Sequence, residues 1–184
     1  EQLEAEGTQS IQSLKYIFAA GEALPPNLVQ RFSQLDTNTR LENIYGPTEA
    51  TIYSSYYSTE HFQEGKSIPI GKSLPNTELL ILDQHHQLSP KGVIGQLCIA
   101  GRQLAKGYLN QPALTEAKFV EHPFKAGERL YKTGDLARWL PNGEIEFLGR
   151  IDHQVKIRGF RIELGEIEAQ LSSHEQIREA VLLA

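Results

Sequence analysis

The chain predicts an α/β fold with three successive parts. A layered sheet-and-helix part covers about residues 14–60, a strand-rich, partly barrel-like region covers about 65–148, and the start of a small α+β lobe follows. Three observations carry that expectation. Two short apolar runs, Leu14 to Ala20 and Leu41 to Tyr45, flank a helix-forming stretch. From Ile68 to Gly101 the pattern changes to short strands with turn punctuation. Beyond Gly149, charge becomes dense: Arg150, Asp152, Lys156, Arg158, Arg161, Glu163, Glu166 and Glu168 fall close together. The boundary is expected at Arg150–Asp152, giving 1–151 and 152–184 as the two units.

Each element has a local cause. Residues 1–10 are polar and expected to fray. Leu14 to Ala20 (LKYIFAA) reads as a buried strand ended by Gly21, and Pro25-Pro26 starts a helix whose face carries Leu28, Val29 and Phe32. Leu41 to Tyr45 is a second strand, broken by Gly46-Pro47, and Ile52 to Ser58 follows with aromatic β-formers. Leu79 to Leu82 and Gln96 to Ala100 are strands, Pro112 to Phe119 a short helix. Leu130 to Leu140 and Glu144 to Leu148 flank Asn142-Gly143, the strongest hairpin signal of the chain. Gln154 to Ile157 and Phe160 to Glu163 alternate around an Arg158-Gly159 turn, and a helix carrying Ile167 and Leu171 opens at Leu164-Gly165.

Bulk properties narrow the function classes. The 184 residues are 40% hydrophobic and 22% charged, with no apolar run near the ~18 residues a membrane span needs. A net charge of -5 disfavours a nucleic-acid partner. Cys98 is alone, which excludes an internal disulfide and fits a reducing, cytoplasmic setting, and the six histidines show no zinc spacing. There is no methionine, and the last residues, Ala180 to Ala184, read as a buried strand. The expectation is a piece of a larger protein.

Candidate chemistry gathers at turns that follow strands, where α/β sheets bind ligands. In Asn43-Ile44-Tyr45-Gly46-Pro47-Thr48-Glu49, Tyr45 can stack on a flat ring, Thr48 can donate to a phosphate oxygen, and Glu49 can hold Mg²⁺, a hard cation. The same spelling also serves a plain capped Gly-Pro turn. Gly21-Glu22-Ala23 would let a ligand approach the backbone. Asp135, in Lys132-Thr133-Gly134-Asp135, can accept from both hydroxyls of a ribose or form an Asx turn; Arg150 can contact ribose or phosphate or lie on the surface. No Walker-type glycine loop or Ser-His-Asp order is present.

Four stretches in order, AAGEAL at 19–24, NIYGPTE at 43–49, GQLCIAGRQLAKGYLNQPALTEAKF at 95–119 and YKTGDLARWLPNGEIEFLGRIDHQVKIRGFRIELGEIE at 131–168, resemble the amino-acid adenylation domain of nonribosomal peptide synthetases. The resemblance spans nearly the whole chain. It implies the back half of the large lobe of an adenylate-forming enzyme plus the opening of the small lobe. It also implies a two-step reaction: an amino acid and Mg·ATP give aminoacyl-AMP and pyrophosphate, then the acyl group passes to the phosphopantetheine thiol of a peptidyl carrier protein. Condensation domains of the same synthetase and the remainder of the adenylation domain are the other implied partners.

Carried over onto this chain, Glu49 is the implied magnesium ligand and Thr48 a phosphate contact. Tyr45 and Gly46 lie against adenine, with Gly21, Glu22, Ala23 and Asn43 at its edges. Asp135 and Arg150 hold the ribose, Asp152 is the hinge, and Lys156 and Gly159 face the site in the thioester-forming state. Phe18, Ala20, Ile44, Ile52 and Tyr53 line the amino-acid pocket. The turn ending at Glu49, Asp135 and Arg150 should therefore converge on one bound nucleotide. The family's phosphate loop, amine-binding aspartate and catalytic lysine find no match and are expected before Glu1 or after Ala184, so the chain alone should be inactive. Same-fold alternatives are an acyl-CoA or aryl-acid ligase and an inactive scaffold module.

Overall fold

Strand β1 (Tyr16–Ala19) leads through helix α1 (Pro26–Ser33) to β2 (Arg40–Tyr45), and the two strands pair in parallel, as a strand–helix–strand unit should. The structure, a computed structural model, describes residues 11–152, 154–157, 160–174, 176–178 and 180–182. The fraying expected for 1–10, the Arg158-Gly159 turn and the Lys156 side chain lie outside the described residues. Pro26 occupies the first turn of α1, where its missing N–H costs nothing. Strands β3 (Ser55–Ser58) and β4 (Lys72–Ser73) complete a four-stranded sheet in the order β1-β2-β3-β4. Leu24, Val29, Leu41, Tyr57 and Ile68 pack beneath it.

The expected strand from Ile52 starts three residues late. Thr48–Ala50 forms a 3-10 turn, and Thr51 and Ile52 follow at φ 55° and 70°. That left-handed pair reverses the chain so that the Ser54 amide donates to the Tyr45 carbonyl at 2.6 Å. Gly46 makes the reversal possible, since a Cβ there would lie 2.3 Å from Tyr53 Cα.

The strand-rich region is a second, antiparallel sheet. Strands β5 (Thr77–Leu82), β6 (Gly95–Gly101), β7 (Phe119–Glu121), β8 (Arg129–Trp139) and β9 (Ile145–Arg150) run in the order β5-β6-β8-β7, with β9 also on β8; helix α2 (Pro112–Lys118) precedes β7. Its runs LLIL and LCIA do not alternate because both faces are covered. Leu79, Ile81, Leu97 and Ile99 enter one cluster with Ile70, Ala137 and Ile145, while Leu80, Leu82, Cys98 and Ala100 enter another with Leu130. The Ile70 amide donates to the Ile145 carbonyl at 2.9 Å and the Ile145 amide to the Gly71 carbonyl at 2.8 Å, which joins the sheets. The Asn142-Gly143 hairpin forms with a wider turn than two residues: only Gly143 has positive φ, and Leu140 donates to the Glu144 carbonyl at 2.8 Å.

Beyond β9, β10 (Val155–Ile157) and β11 (Phe160–Ile162) pair antiparallel, and helix α3 (Leu164–Ser172) follows. The buried strand expected at Ala180 to Ala184 is not found in its described part. Residues 180–182 are in no strand, and Val181 is 72% exposed. The Leu182 amide donates to the Glu168 carboxylate at 2.8 Å, so a side chain takes the place of a ladder partner.

Cys98 provides a check on the packing. Burial pushes its thiol up to about 12, which leaves almost no thiolate at pH 8. In the folded protein Cys98 should resist iodoacetamide at pH 8 and react only after urea denaturation, as read by peptide mass spectrometry. Prompt labelling of the native state would contradict the two-faced core.

Candidate functional site

The end of β2, the loop after β1, the segment before β4 and the end of β9 surround one cleft of about 1050 Å³. Gly21, Glu22 and Ala23 form one rim, Asn43, Ile44, Tyr45 and Gly46 the floor, and Asp135, Phe147, Arg150 and Asp152 the opposite wall. Gln154, Leu164 and Leu182 reach the same cleft from beyond the expected hinge.

A chain of charge runs along that wall. The Tyr45 hydroxyl donates to Asp135 Oδ2, and Arg150 Nη1 donates to Asp135 Oδ1 at 2.7 Å and to the Thr133 carbonyl at 3.2 Å. The other edge of the guanidinium grips Asp152 bidentately, Nε to Oδ1 at 2.6 Å and Nη2 to Oδ2 at 2.7 Å. Asp135 is 7% exposed, so its charge needs such partners. Enclosure of the hydroxyl, and then the negative charge of Asp135, hold the Tyr45 phenol protonated well above its ordinary range. Burial alone would lower the Arg150 value, but its bond to Asp152 and the charge of Asp135 outweigh this and raise it. The Arg150 bond holds Asp152 below the usual carboxylate range.

Strand register makes the contact. Trp139 pairs with Ile145, Arg138 with Glu146 and Ala137 with Phe147; a bulge then shifts the ladder so that Asp135 faces Arg150. Gly134 has φ 80°, and a Cβ there would lie 2.7 Å from Arg150 Nη2. The glycine is what admits the guanidinium. The Asp135 amide also donates to Thr133 Oγ1 at 2.9 Å, and Thr133 in turn donates to the Leu97 carbonyl at 2.6 Å.

The turn after β2 enters the cleft through Tyr45 and Gly46, whereas Thr48 and Glu49 are not on its wall. Of the three groups expected to converge, Asp135 and Arg150 share the cleft and Glu49 sits behind the turn. Glu49 is 7% exposed and is drawn toward loop 105–108: its carbonyl accepts from the Ala105 amide at 2.8 Å, and its Oε1 from the Tyr108 hydroxyl at 2.7 Å. Thr48 is exposed. Asn43 spends its amide on the Pro69 carbonyl at 2.8 Å, which braces the floor.

The residues expected to line the amino-acid pocket lie on the first sheet and on the turns next to it. Phe18 and Ile44 lie on one face of the first sheet, with Tyr56 opposite Ile44. Phe18 is 61% exposed and stacks on Tyr16 at 5.9 Å between centroids; Ile52 and Tyr53 stand on the exposed reversal, and Ala20 is exposed past the end of β1. Sequence reasoning missed Tyr56, Ser67, Phe147 and Tyr108. Phe147 lies 6.4 Å from the Tyr45 ring, and Ser67 bonds Glu146, whose other oxygen accepts from Arg138 at 2.6 Å. Tyr56 was legible from alternation in β3; the others depend on long-range packing.

Comparison with known proteins settles the family. The family described as AMP-binding enzyme matches residues 1–109. This chain belongs to the AMP-binding enzymes. Among curated relatives, Bacitracin synthase 3 of Bacillus licheniformis is 54% identical over 173 residues, covering 94% of this chain and 3% of that protein. Surfactin synthase subunit 1 of Bacillus subtilis (strain 168) is 52% identical over 175 residues, covering 95% and 5%. The chain thus spans only a few per cent of these relatives. Among solved structures, holo-PA1221, an NRPS protein containing adenylation and PCP domains bound to a vinylsulfonamide inhibitor, matches with TM-score 0.84 and 35% identity over 92% of this chain and 30% of that one. The Vibrio cholerae adenylation domain AlmE in complex with glycyl-adenosine-5'-phosphate matches with TM-score 0.83 and 35% identity over 97% and 34%. The fold of this AMP-binding enzyme is that of adenylation domains. Among the described residues no helix is long and apolar enough to cross a membrane.

The charge chain sets two expectations in the polypeptide that carries this segment. Arg150→Met removes the cation that two carboxylates share and should cost about 1.5–3 kcal/mol locally, read as faster hydrogen exchange in peptides spanning 145–157; unchanged exchange would contradict the clamp. The Asp152 value is lowered by folding, so its pairing stabilises above the ordinary carboxylate range and is lost as pH falls through the lowered value. The difference in exchange between wild type and Asp152→Asn should therefore be present at pH 7 and gone once Asp152 is protonated.

Proposed function

We propose that this AMP-binding enzyme is part of an amino-acid adenylation domain of a nonribosomal peptide synthetase, acting in the cytoplasm. It would make aminoacyl-AMP from an amino acid and ATP, then pass the acyl group to a carrier protein's phosphopantetheine thiol. The observation that carries the reading is Asp135, a cleft carboxylate fixed by Tyr45 and Arg150. A fixed carboxylate suits the paired hydroxyls of a ribose, because two donors 1,2 to each other can share its two oxygens. Tyr45, Gly46 and the Gly21–Ala23 rim line the same cleft, and the Tyr45 ring offers a face on which adenine would stack.

In this reading the substrate carboxylate attacks the α-phosphorus and pyrophosphate leaves, while the chain's residues would position the nucleotide. Thr48, exposed beside the turn, would donate to a phosphate oxygen. The donor chemistry fits magnesium: Glu49 carries a carboxylate, the hard oxygen ligand such a cation takes alongside phosphate and water. Glu49 would hold it, and it would offset negative charge building on the phosphates.

Phe18, Ala20, Ile44, Ile52 and Tyr53 would select the amino-acid side chain. Residues 1–151 would belong to the large lobe and 152–184 to the small one, with Asp152 as the pivot and Lys156 and Gly159 brought to the site for thioester formation. The Arg150–Asp152 clamp supports that reading, since it ties the pivot to the nucleotide wall. Condensation domains of the same synthetase and the rest of the adenylation domain would complete the module.

An ATP–pyrophosphate exchange panel on the intact parent protein tests this. Exchange should depend on one or a few amino acids. Exchange supported only by fatty or aryl acids would move the chain to the acyl-CoA or aryl-acid ligases, and no exchange with any acid would favour a scaffold module.

A further inference from the structure

Loop 105–108 makes contacts that the proposed reaction does not yet use. It follows β6 and precedes α2, and it closes on Glu49 twice, through the Ala105 amide on the backbone and the Tyr108 hydroxyl on the carboxylate. The loop is itself held. Arg129 Nη1 and Nη2 donate to the Lys106 and Ala105 carbonyls at 2.9 and 2.8 Å, with the guanidinium 5.5 Å from the centre of the Phe119 ring. The Tyr108 amide donates to Thr115 Oγ1 at 2.9 Å, and the Tyr108 ring meets Phe119 edge-on at 5.7 Å. A Cβ at Gly107 would lie 2.4 Å from Thr115 Cγ2, so the chain passes α2 at backbone contact. Tyr131, fully buried on β8, brings its hydroxyl 3.4 Å from that of Tyr108.

We infer that Tyr108 is a positioning residue for Glu49: its phenol fixes the carboxylate, through which it sets how strongly the enzyme holds the metal of its nucleotide. A carboxylate on a one-turn 3-10 segment has free rotation about its own bonds unless something outside the turn holds it, and Glu49 lies between two left-handed residues and a proline. The hydrogen bond from Tyr108, whose ring is packed edge-on against Phe119, restricts the rotation, and the Tyr131 hydroxyl supports the same carboxylate from β8. A neutral phenol also leaves the carboxylate its charge, whereas a lysine or arginine in that place would compete with a cation. Outer partners of this kind orient metal-binding carboxylates and typically contribute tenfold or more to metal affinity.

This rests on the proposed role of Glu49, and the experiment separates the two. In the intact parent protein with ATP bound, Mn²⁺ serves as the probe and its binding is titrated by electron paramagnetic resonance, alongside the Mg²⁺ dependence of exchange. Tyr108→Phe removes one hydroxyl and keeps the ring against Phe119. It should weaken Mn²⁺ binding roughly tenfold and raise the Mg²⁺ requirement in parallel, with little change in melting temperature or in KM for the amino acid. Thr115→Ala, which loosens the loop without touching the phenol, should give a smaller loss of the same kind and serves if Tyr108→Phe fails to fold. Glu49→Gln should give the largest loss. Wild-type Mn²⁺ binding in Tyr108→Phe and Thr115→Ala, with Glu49→Gln impaired, overturns the positioning role alone. Wild-type binding in Glu49→Gln overturns the metal role of Glu49 and the inference with it.

Discussion

Arg150 is asked to neutralise two carboxylates with one guanidinium, and much of the cleft follows from that demand. Four of its five donor positions have acceptors within 3.2 Å: Asp135, the Thr133 carbonyl and both oxygens of Asp152. Only a planar fork can serve partners on two edges, which is why lysine is a poor substitute. With Asp135 held there, Tyr45 must stay protonated to donate, and the floor of the cleft is tied to its wall.

The demand reaches back into the backbone. The guanidinium needs the space beside residue 134, which glycine leaves open, and a β-bulge to bring Arg150 level with Asp135. The bulge costs part of a ladder, and the covered five-stranded sheet can absorb that because Leu97, Ile99, Ala137 and Ile145 are fully buried around it. The same guanidinium carries Asp152, so the residue at which the small lobe is proposed to turn is held by the group that shapes the cleft wall. Two short bonds to Arg150 thus tie Asp152 to the cleft.

The layered first part and the strand-rich second part were legible in the sequence because β1, α1, β2, β5, β6, β8 and β9 each carry a local cause: Pro at a helix start, Gly at a strand end, or unbroken apolar runs covered on both faces. Tyr45 was legible for the same reason, since it closes β2, whereas Asp135, expected at a turn, lies inside β8 beside the bulge. What escaped depended on distant partners. The late start of β3 came from Thr51 and Ile52 adopting left-handed conformations that β-branched residues avoid, which no propensity announces. The pairing of Asp135 with Arg150 needed a register shift, and the Glu49–Tyr108 contact joins residues far apart in sequence. Leu182 bonding to Glu168 replaced a strand that apolarity alone suggested.

The central claim is that the carboxylate fixed by Tyr45 and Arg150 binds the sugar hydroxyls of a nucleotide. Equilibrium binding of ATP and of 2',3'-dideoxy-ATP to the intact parent protein, with Asp135→Asn alongside, tests it most directly. The account predicts that losing the hydroxyls weakens binding to the wild type roughly 10- to 100-fold, the worth of hydrogen bonds to a charged group, and that the variant barely distinguishes the two ligands. Equal affinity of the wild type for both nucleotides would contradict it.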